Sequence, residues 1–327
     1  MPKKIVPTLA GRTIRCILFD LGETLWTHVD KATWQSLKQF ANQRALHVLQ
    51  QYLAAERLLK TDLTLSGKQL RAAIETQTHL VDQQTSGYEP DFALATIEAL
   101  AQLGFPRLDR AVGEAIFEAL RMPILGSRVL FDDVLSTLAS LQQRGFLLGV
   151  VTNRHWGGQP FMEDLRTLGL LDYFDPRSVA ISADLKARKP NPAIFLHTLD
   201  ALNVAPQEAA MVGDSLRSDI AGALALDIFA IWKPKMHLRA KVQAELMTQE
   251  TAKSNRERSK DQPISAIEAA SAINGQELEH RDDEYLLAYV QQEEAKRDHL
   301  LDRNLRPDLI ITHVSDLLDV LIEAGKQ

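Results

Sequence analysis

Three apolar runs in this chain end in polar side chains that can do chemistry. Ile17-Leu18-Phe19 ends in Asp20, Val150-Val151 in Thr152, and Val212-Gly213 in Asp214. A fourth polar group, Lys189, sits in the turn Arg188-Lys189-Pro190. Two carboxylates at close range need a cation between them or a shared proton. Hard oxygen ligands of this kind suit Mg²⁺, which also favours a phosphate oxygen and waters. A hydroxyl and a lysine add donors for an anionic group. An aspartate nucleophile, a metal, a hydroxyl and a fixed positive charge together read as phosphoryl chemistry.

For these groups to meet, the runs must be neighbouring parallel strands whose carboxyl ends share one edge, where open α/β sheets place their ligand crevices. The pattern agrees. Residues 14–19 read as a buried strand, apolar apart from Arg15 and closed by a Gly-containing turn. After Leu130 come a helix over 134–143 stopped by Gly145, a strand over 146–151 and a helix over 160–169. Next are a strand over 178–182, a helix over 193–202 entered through Pro190 and Pro192, and a strand over 209–212. A helix over 218–226, strands at 228–232 and 309–311, and a helix over 314–324 complete the series. Strands alternating with helices predict an α/β fold with a Rossmann-like parallel sheet and right-handed crossovers.

Two stretches break this rhythm. Trp26 and His28 read as a connector, and residues 33–124 then read as helices. Trp34, Leu37, Phe40, Ala41, Ala45 and Val48 recur at helical steps as one apolar face. Segments near 66–82, 90–104 and 109–121 look similar, with turns at Ser86-Gly87 and Gly104-Phe105-Pro106. Residues 235–306 are rich in Gln, Glu, Lys and Arg. Leu238, Val242 and Leu246 mark one weak stripe, and Leu286, Leu287, Val290 and Leu301 another. Residues 254–262 between them are polar and read as flexible. The expectation here is a solvated helical excursion, with an arm over the site or an oligomer contact as the alternative. The expected organisation is therefore a first strand and motif in 1–28, an inserted all-helical domain in 29–127, the rest of the α/β core in 128–234 and 307–327, and a polar helical insertion in 235–306.

Composition narrows the function class. The length of 327 residues suggests about two domains. A net charge of −6 provides no broad basic surface for nucleic acid. No apolar stretch is long enough to span a bilayer, and 5–10 is too short and interrupted for a signal peptide. The single cysteine, Cys16, lies inside the first strand and is expected to be a packed core thiol in a reducing cytoplasm.

The ordered motifs resemble those of the haloacid dehalogenase (HAD) superfamily. The first, Asp-x-Asp-x-Thr in most of its phosphatases, appears as Asp20-Leu21-Gly22-Glu23-Thr24. The second appears as Val150-Val151-Thr152-Asn153, the third as Arg188-Lys189-Pro190-Asn191-Pro192, and the fourth as Val212-Gly213-Asp214-Ser215-Leu216-Arg217-Ser218-Asp219. The resemblance covers about 12–234 and 307–324 and has no counterpart for 235–306. It implies that Asp20 attacks phosphorus to form an aspartyl phosphate, that Thr152 bonds a phosphoryl oxygen, and that Lys189 balances charge. Asp20, Asp214 and the Gly22 carbonyl would hold Mg²⁺, with Asp219 supporting the metal site. In the loop after Thr152, Asn153 and Arg154 are candidate substrate contacts, and Trp156 is placed to stack on a ring.

Gly22 departs from the pattern. It stands where most of these phosphatases carry the second Asp, a general acid and base whose loss typically costs about 10²–10⁴ in rate. Glu23 and His28 are nearby replacements. The implied activity is Mg²⁺-dependent hydrolysis of a small phosphorylated metabolite, read by a helical cap, without nucleic-acid or membrane partners and with homo-oligomerisation open. Two alternatives stand beside it: a 2-haloacid dehalogenase, since those enzymes also lack the second Asp, and a catalytically weak binding protein using the 235–306 arm.

Overall fold

The structure, a computed structural model, describes residues 7–9, 11–56, 65–84, 87–258, 275–297 and 305–323. Ser86, residues 259–262 of the polar stretch, Leu301 and Ala324 lie outside them. At its centre is a six-stranded, all-parallel sheet in the order Leu309–Ile310, Phe229–Trp232, Ala209–Gly213, Cys16–Phe19, Leu147–Thr152, Val179–Ile181. The first strand is central. The chain builds outward from it on one side and then crosses to the other, which makes its carboxyl end a topological switch point. Its four residues are all buried, as expected of a strand covered by helices on both faces. Two apolar layers flank it, one containing Ile17, Phe19, Val150 and Val212 and the other Leu18, Val151, Met211 and Trp232. Burial pushes the Cys16 thiol up to about 12, so it is inert packing.

The stretch after the first strand is helical: Lys31–Ala55, Gly67–Gln84, Phe92–Gln102 and Arg110–Ala119. These helices share their own core, which includes Leu49, Leu70, Ile74, Leu100 and Ile116. Two expectations need correction. The buried stripe of Lys31–Ala55 runs through Ala41, Ala45, Leu49 and Leu53, whereas Phe40 is 60% exposed with the Arg44 guanidinium over its ring. Trp26–His28 is a strand rather than a connector, pairing antiparallel with Arg128–Leu130 where the chain enters and leaves the helical unit.

The helix expected over 218–226 begins as a widened turn, Leu216–Ile220, and continues as Ala221–Ala225. The last expected helix is shorter too: Leu317–Val320 gives way to the strand Ile322–Glu323, which joins Pro7–Leu9 and Arg12–Thr13 in a small antiparallel sheet. Residues 235–306 contribute the helices Met236–Arg258 and Gly275–Arg297. They are docked rather than solvated. Val242, Leu286, Leu287 and Val290 are buried in the same cluster as Trp232. No helix among the described residues is long and apolar enough to cross a membrane.

Candidate active site

Strand register brings the motif residues together. Phe19 is level with Val150 on one side and Val212 on the other, and the Asp20 N–H donates to Val212 O at 2.9 Å. Asp20, Thr152 and Asp214 therefore leave the sheet within one residue of the same level. Asp20 and Thr152 are buried, at 7% and 2% exposure.

Lys189 completes the cluster from the loop before the helix Pro192–Leu202. Its Nζ donates to Asp20 Oδ1 at 2.6 Å and to Val151 O at 2.7 Å, and it pairs with Asp219 Oδ1 at 2.6 Å. Burial alone would lower this amine, but the Asp20 and Asp219 carboxylates outweigh it and hold Lys189 above its ordinary value. Asn153 fixes the loop: its Oδ1 accepts from Lys189 N–H at 2.8 Å and its Nδ2 donates to Lys189 O at 3.1 Å. Asp219 Oδ2 accepts from Ser215 N–H at 3.0 Å. Its approach depends on Gly213, where a Cβ would lie 2.2 Å from Asp219 Cγ.

Asp214 Oδ2 pairs with Lys235 Nζ at 3.2 Å, and the Asp214 carbonyl accepts from Trp232 Nε1 at 2.8 Å. Burial, and then the charges of Asp20 and Asp219, push Asp214 up to about 8. Burial likewise pushes Asp219 up to about 6, against the pull of Lys189. One carboxylate oxygen from each of Asp20, Asp214 and Asp219 lies within 4.8 Å of the other two. Three carboxylates thus face two ammonium groups, and the all-oxygen donor set fits a hard divalent cation.

The remaining candidates sit around this cluster. At Gly22 a Cβ would meet only Asp20 Oδ2, at 3.9 Å, so nothing in the packing demands glycine there. Glu23 and His28 are engaged with each other: Glu23 accepts from Thr27 Oγ1 at 3.1 Å and lies 3.3 Å from His28 Nδ1. The Arg154 guanidinium lies over the Phe161 ring at 4.6 Å, and burial pulls it down to about 10, with Asp20 among its stabilising neighbours. Trp156 stacks on Phe117 of the helical unit, centroids 4.7 Å apart.

The sequence reading missed Lys233 and Lys235. Lys233 Nζ donates to Glu23 O at 3.1 Å and lies 4.1 Å from the Phe131 ring centroid. The signal was available, because Lys233-Pro234-Lys235 follows the strand Phe229–Trp232 at the same sheet edge as Asp214.

Comparison with known proteins agrees with this geometry. A family model described as haloacid dehalogenase-like hydrolase matches residues 14–227. A phosphoserine phosphatase from Thermus thermophilus is 37% identical over 139 residues, which are 41% of this chain and 51% of that protein. The chain thus spans about half the length of that relative. A glyceraldehyde 3-phosphate phosphatase from Methanopyrus kandleri is 30% identical over 216 residues, 64% of this chain and 79% of that protein. A phosphoglycolate phosphatase from Shigella sonnei is 31% identical over 217 residues, 65% and 78% of the two chains. All three are named as phosphatases, for three different substrates. With four motif residues gathered at one sheet edge and a family model spanning them, the chain belongs to the haloacid dehalogenase-like hydrolases.

Proposed function

We propose that this protein is a Mg²⁺-dependent phosphatase that hydrolyses a small phosphate monoester through an aspartyl-phosphate intermediate at Asp20. The observation that carries the reading is the buried Lys189 ammonium, 2.6 Å from both Asp20 and Asp219, beside a third carboxylate, Asp214. Such a cluster is costly to bury unless it serves dianionic chemistry.

Asp20 attacks phosphorus as the ester P–O bond breaks and the leaving group departs. A water then attacks the phosphoenzyme, releasing inorganic phosphate and restoring the carboxylate. Lys189 holds the Asp20 carboxylate in place by its 2.6 Å hydrogen bond and offsets phosphoryl charge. Thr152, one residue beyond the level of Asp20 on the neighbouring strand, offers its hydroxyl to a phosphoryl oxygen. Bound at Asp20, Asp214 and the Gly22 carbonyl, Mg²⁺ would supply further charge neutralisation. Asp219 braces Lys189, and Asn153 holds the backbone that presents it, so a positioning role suits Asn153 better than substrate contact. The helices within 29–127 act as the cap that excludes water and reads the leaving group.

The test is hydrolysis of phenyl phosphate with Mg²⁺ by wild type and Asp20→Asn. An aryl leaving group needs little acid help, so Gly22 does not mask turnover. Turnover lost with Asp20→Asn and with EDTA is expected. A folded protein without turnover, or one that releases halide from a 2-haloacid with EDTA present, would shift the assignment to the dehalogenase reading that Gly22 favours.

A further inference from the structure

Between the helical unit and the motif loops lies a cavity of about 440 Å³, large enough for a ring-bearing ligand. One wall is His155 and Trp156, from the loop after Thr152, and Arg188, which precedes Lys189; none of the motif carboxylates lines the cavity, but the buried Arg154 between the two feels the charges of both Arg128 and Asp20. The cavity's charge is unlike that of the whole acidic chain: among its lining residues Lys38, Arg71, Arg128 and Arg188 outnumber the carboxylates Glu75 and Asp82, with Glu89 3.8 Å from Arg188 beyond the lining. Three of the four cations are matched within the protein. Lys38 and Arg71 share Glu75, at 3.2 and 3.6 Å, and Arg188 pairs with Asp82 at 3.0 Å.

Arg128 is not matched. Its Nη1 donates to Ser127 O at 2.9 Å and Ser127 Oγ at 3.3 Å; it makes no ion pair among the described residues, and the carboxylate that steadies it from beyond ion-pair distance, Glu23, is itself paired with His28. Its guanidinium lies 4.6 Å from the Trp34 ring centroid, and burial pulls it down to about 10. A half-buried guanidinium with a free edge is a site for a carboxylate or phosphate. The aromatic wall of Trp34, Phe117 and Trp156 beside it suits a planar group. Gly22 points the same way, since an ester of a phenol-type hydroxyl departs without a general acid.

We infer that the substrate is an aryl phosphate whose ring carries a second anionic group, the ring lying on the Trp34–Trp156 wall and the anion on Arg128. This rests on the phosphatase reading above. The step balances simply: the Asp20–phosphorus bond forms, the phosphorus–aryl oxygen bond breaks, and the phenolate takes its proton from water after release.

The experiment compares kcat/KM for phenyl phosphate, 4-carboxyphenyl phosphate and phosphoglycolate with wild type and Arg128→Gln at saturating Mg²⁺. A charged hydrogen bond to the carboxylate predicts that wild type prefers the carboxylated aryl ester over phenyl phosphate by about tenfold or more. That ratio should fall towards one in Arg128→Gln. A wild-type ratio near one, with phenyl phosphate turned over, overturns the inference and leaves the phosphatase reading intact. A larger kcat/KM for phosphoglycolate overturns the aromatic part, and an unchanged ratio in the variant overturns the assignment to Arg128. Hydrolysis of none of the three esters overturns both readings. The wild-type comparison stands even where the variant fails to fold.

Discussion

Asn153 grips Lys189 by both of its backbone polar groups, accepting from the N–H at 2.8 Å and donating to the carbonyl at 3.1 Å. The side chain that follows Thr152 thereby sets where the Lys189 ammonium stands. Misplacing a catalytic group by about 1 Å can cost on the order of 10² in rate. Asn153→Ala is expected to lower kcat for phenyl phosphate by about 10- to 100-fold while KM changes little. A variant that raises KM alone, at unchanged kcat, would put Asn153 on the substrate.

Position 22 offers a gain-of-function test. A Cβ added there would meet only Asp20 Oδ2 within 4 Å, at an ordinary contact distance of 3.9 Å. Gly22→Asp should therefore fit and place a second carboxyl group beside Asp20. General-acid help is worth about 10²–10⁴ for poor leaving groups and little for good ones. The variant is expected to accelerate hydrolysis of an alkyl phosphate by at least about tenfold while phenyl phosphate hydrolysis stays within a few-fold. Equal effects on both esters would show that proton delivery is not what position 22 lacks.

Much of this arrangement was legible because one rule produces it: an apolar run ending at the carboxyl edge of a parallel sheet. Asp20, Thr152 and Asp214 obey the rule and meet, and Lys189 joins them from the following loop. The rule applied equally to Lys233 and Lys235 after the strand Phe229–Trp232, but the charged stretch from 235 on reads as the start of a polar helical insertion, which hides its first residues as site candidates. Trp26–His28 was illegible as a strand because three residues are too few to show period-two alternation, and its partner Arg128–Leu130 is a hundred residues away. Phe40 misled because helical spacing defines a face without saying which neighbour covers it. The free edge of Arg128 needed coordinates, since only the pairings of Lys38, Arg71 and Arg188 show that it has none.

The crowding of carboxylates makes stability depend on pH. Asp214 is raised to about 8 and Asp219 to about 6, so the folded protein binds those protons more tightly than the unfolded chain does. Their contribution is complete below the unfolded value of 3.8 and is lost as pH rises through the window up to about 8. The cation-free protein should therefore melt at a lower temperature near pH 8.5 than near pH 6. A divalent cation favours the ionised carboxylates and competes with their protons. The rise in Tm on adding Mg²⁺ is expected to be larger near pH 8.5 than near pH 5.5 by thermal denaturation. An equal rise at both values would mean that the cation binds away from Asp214 and Asp219.

The polar segment 235–306 reaches this same site from both its interior and its first residue. Leu286, Leu287 and Val290 are buried against the cluster containing Trp232, whose indole in turn donates to the Asp214 carbonyl. Truncating a buried leucine typically costs about 2–5 kcal/mol, so Leu287→Ala should lower Tm measurably, whereas a solvated excursion would tolerate it. Lys235 meanwhile holds Asp214 at 3.2 Å with a side chain 39% exposed, so solvent screens the pair and its own contribution to stability is small. Its effect on a cation is more direct, because a metal at Asp214 competes with that ammonium for the same oxygen. Lys235→Ala is expected to tighten Mg²⁺ binding several-fold in calorimetry of the folded protein, with Tm in the absence of metal little changed. Unchanged affinity would show that Lys235 swings clear as the cation enters, leaving the segment coupled to the site only through Trp232.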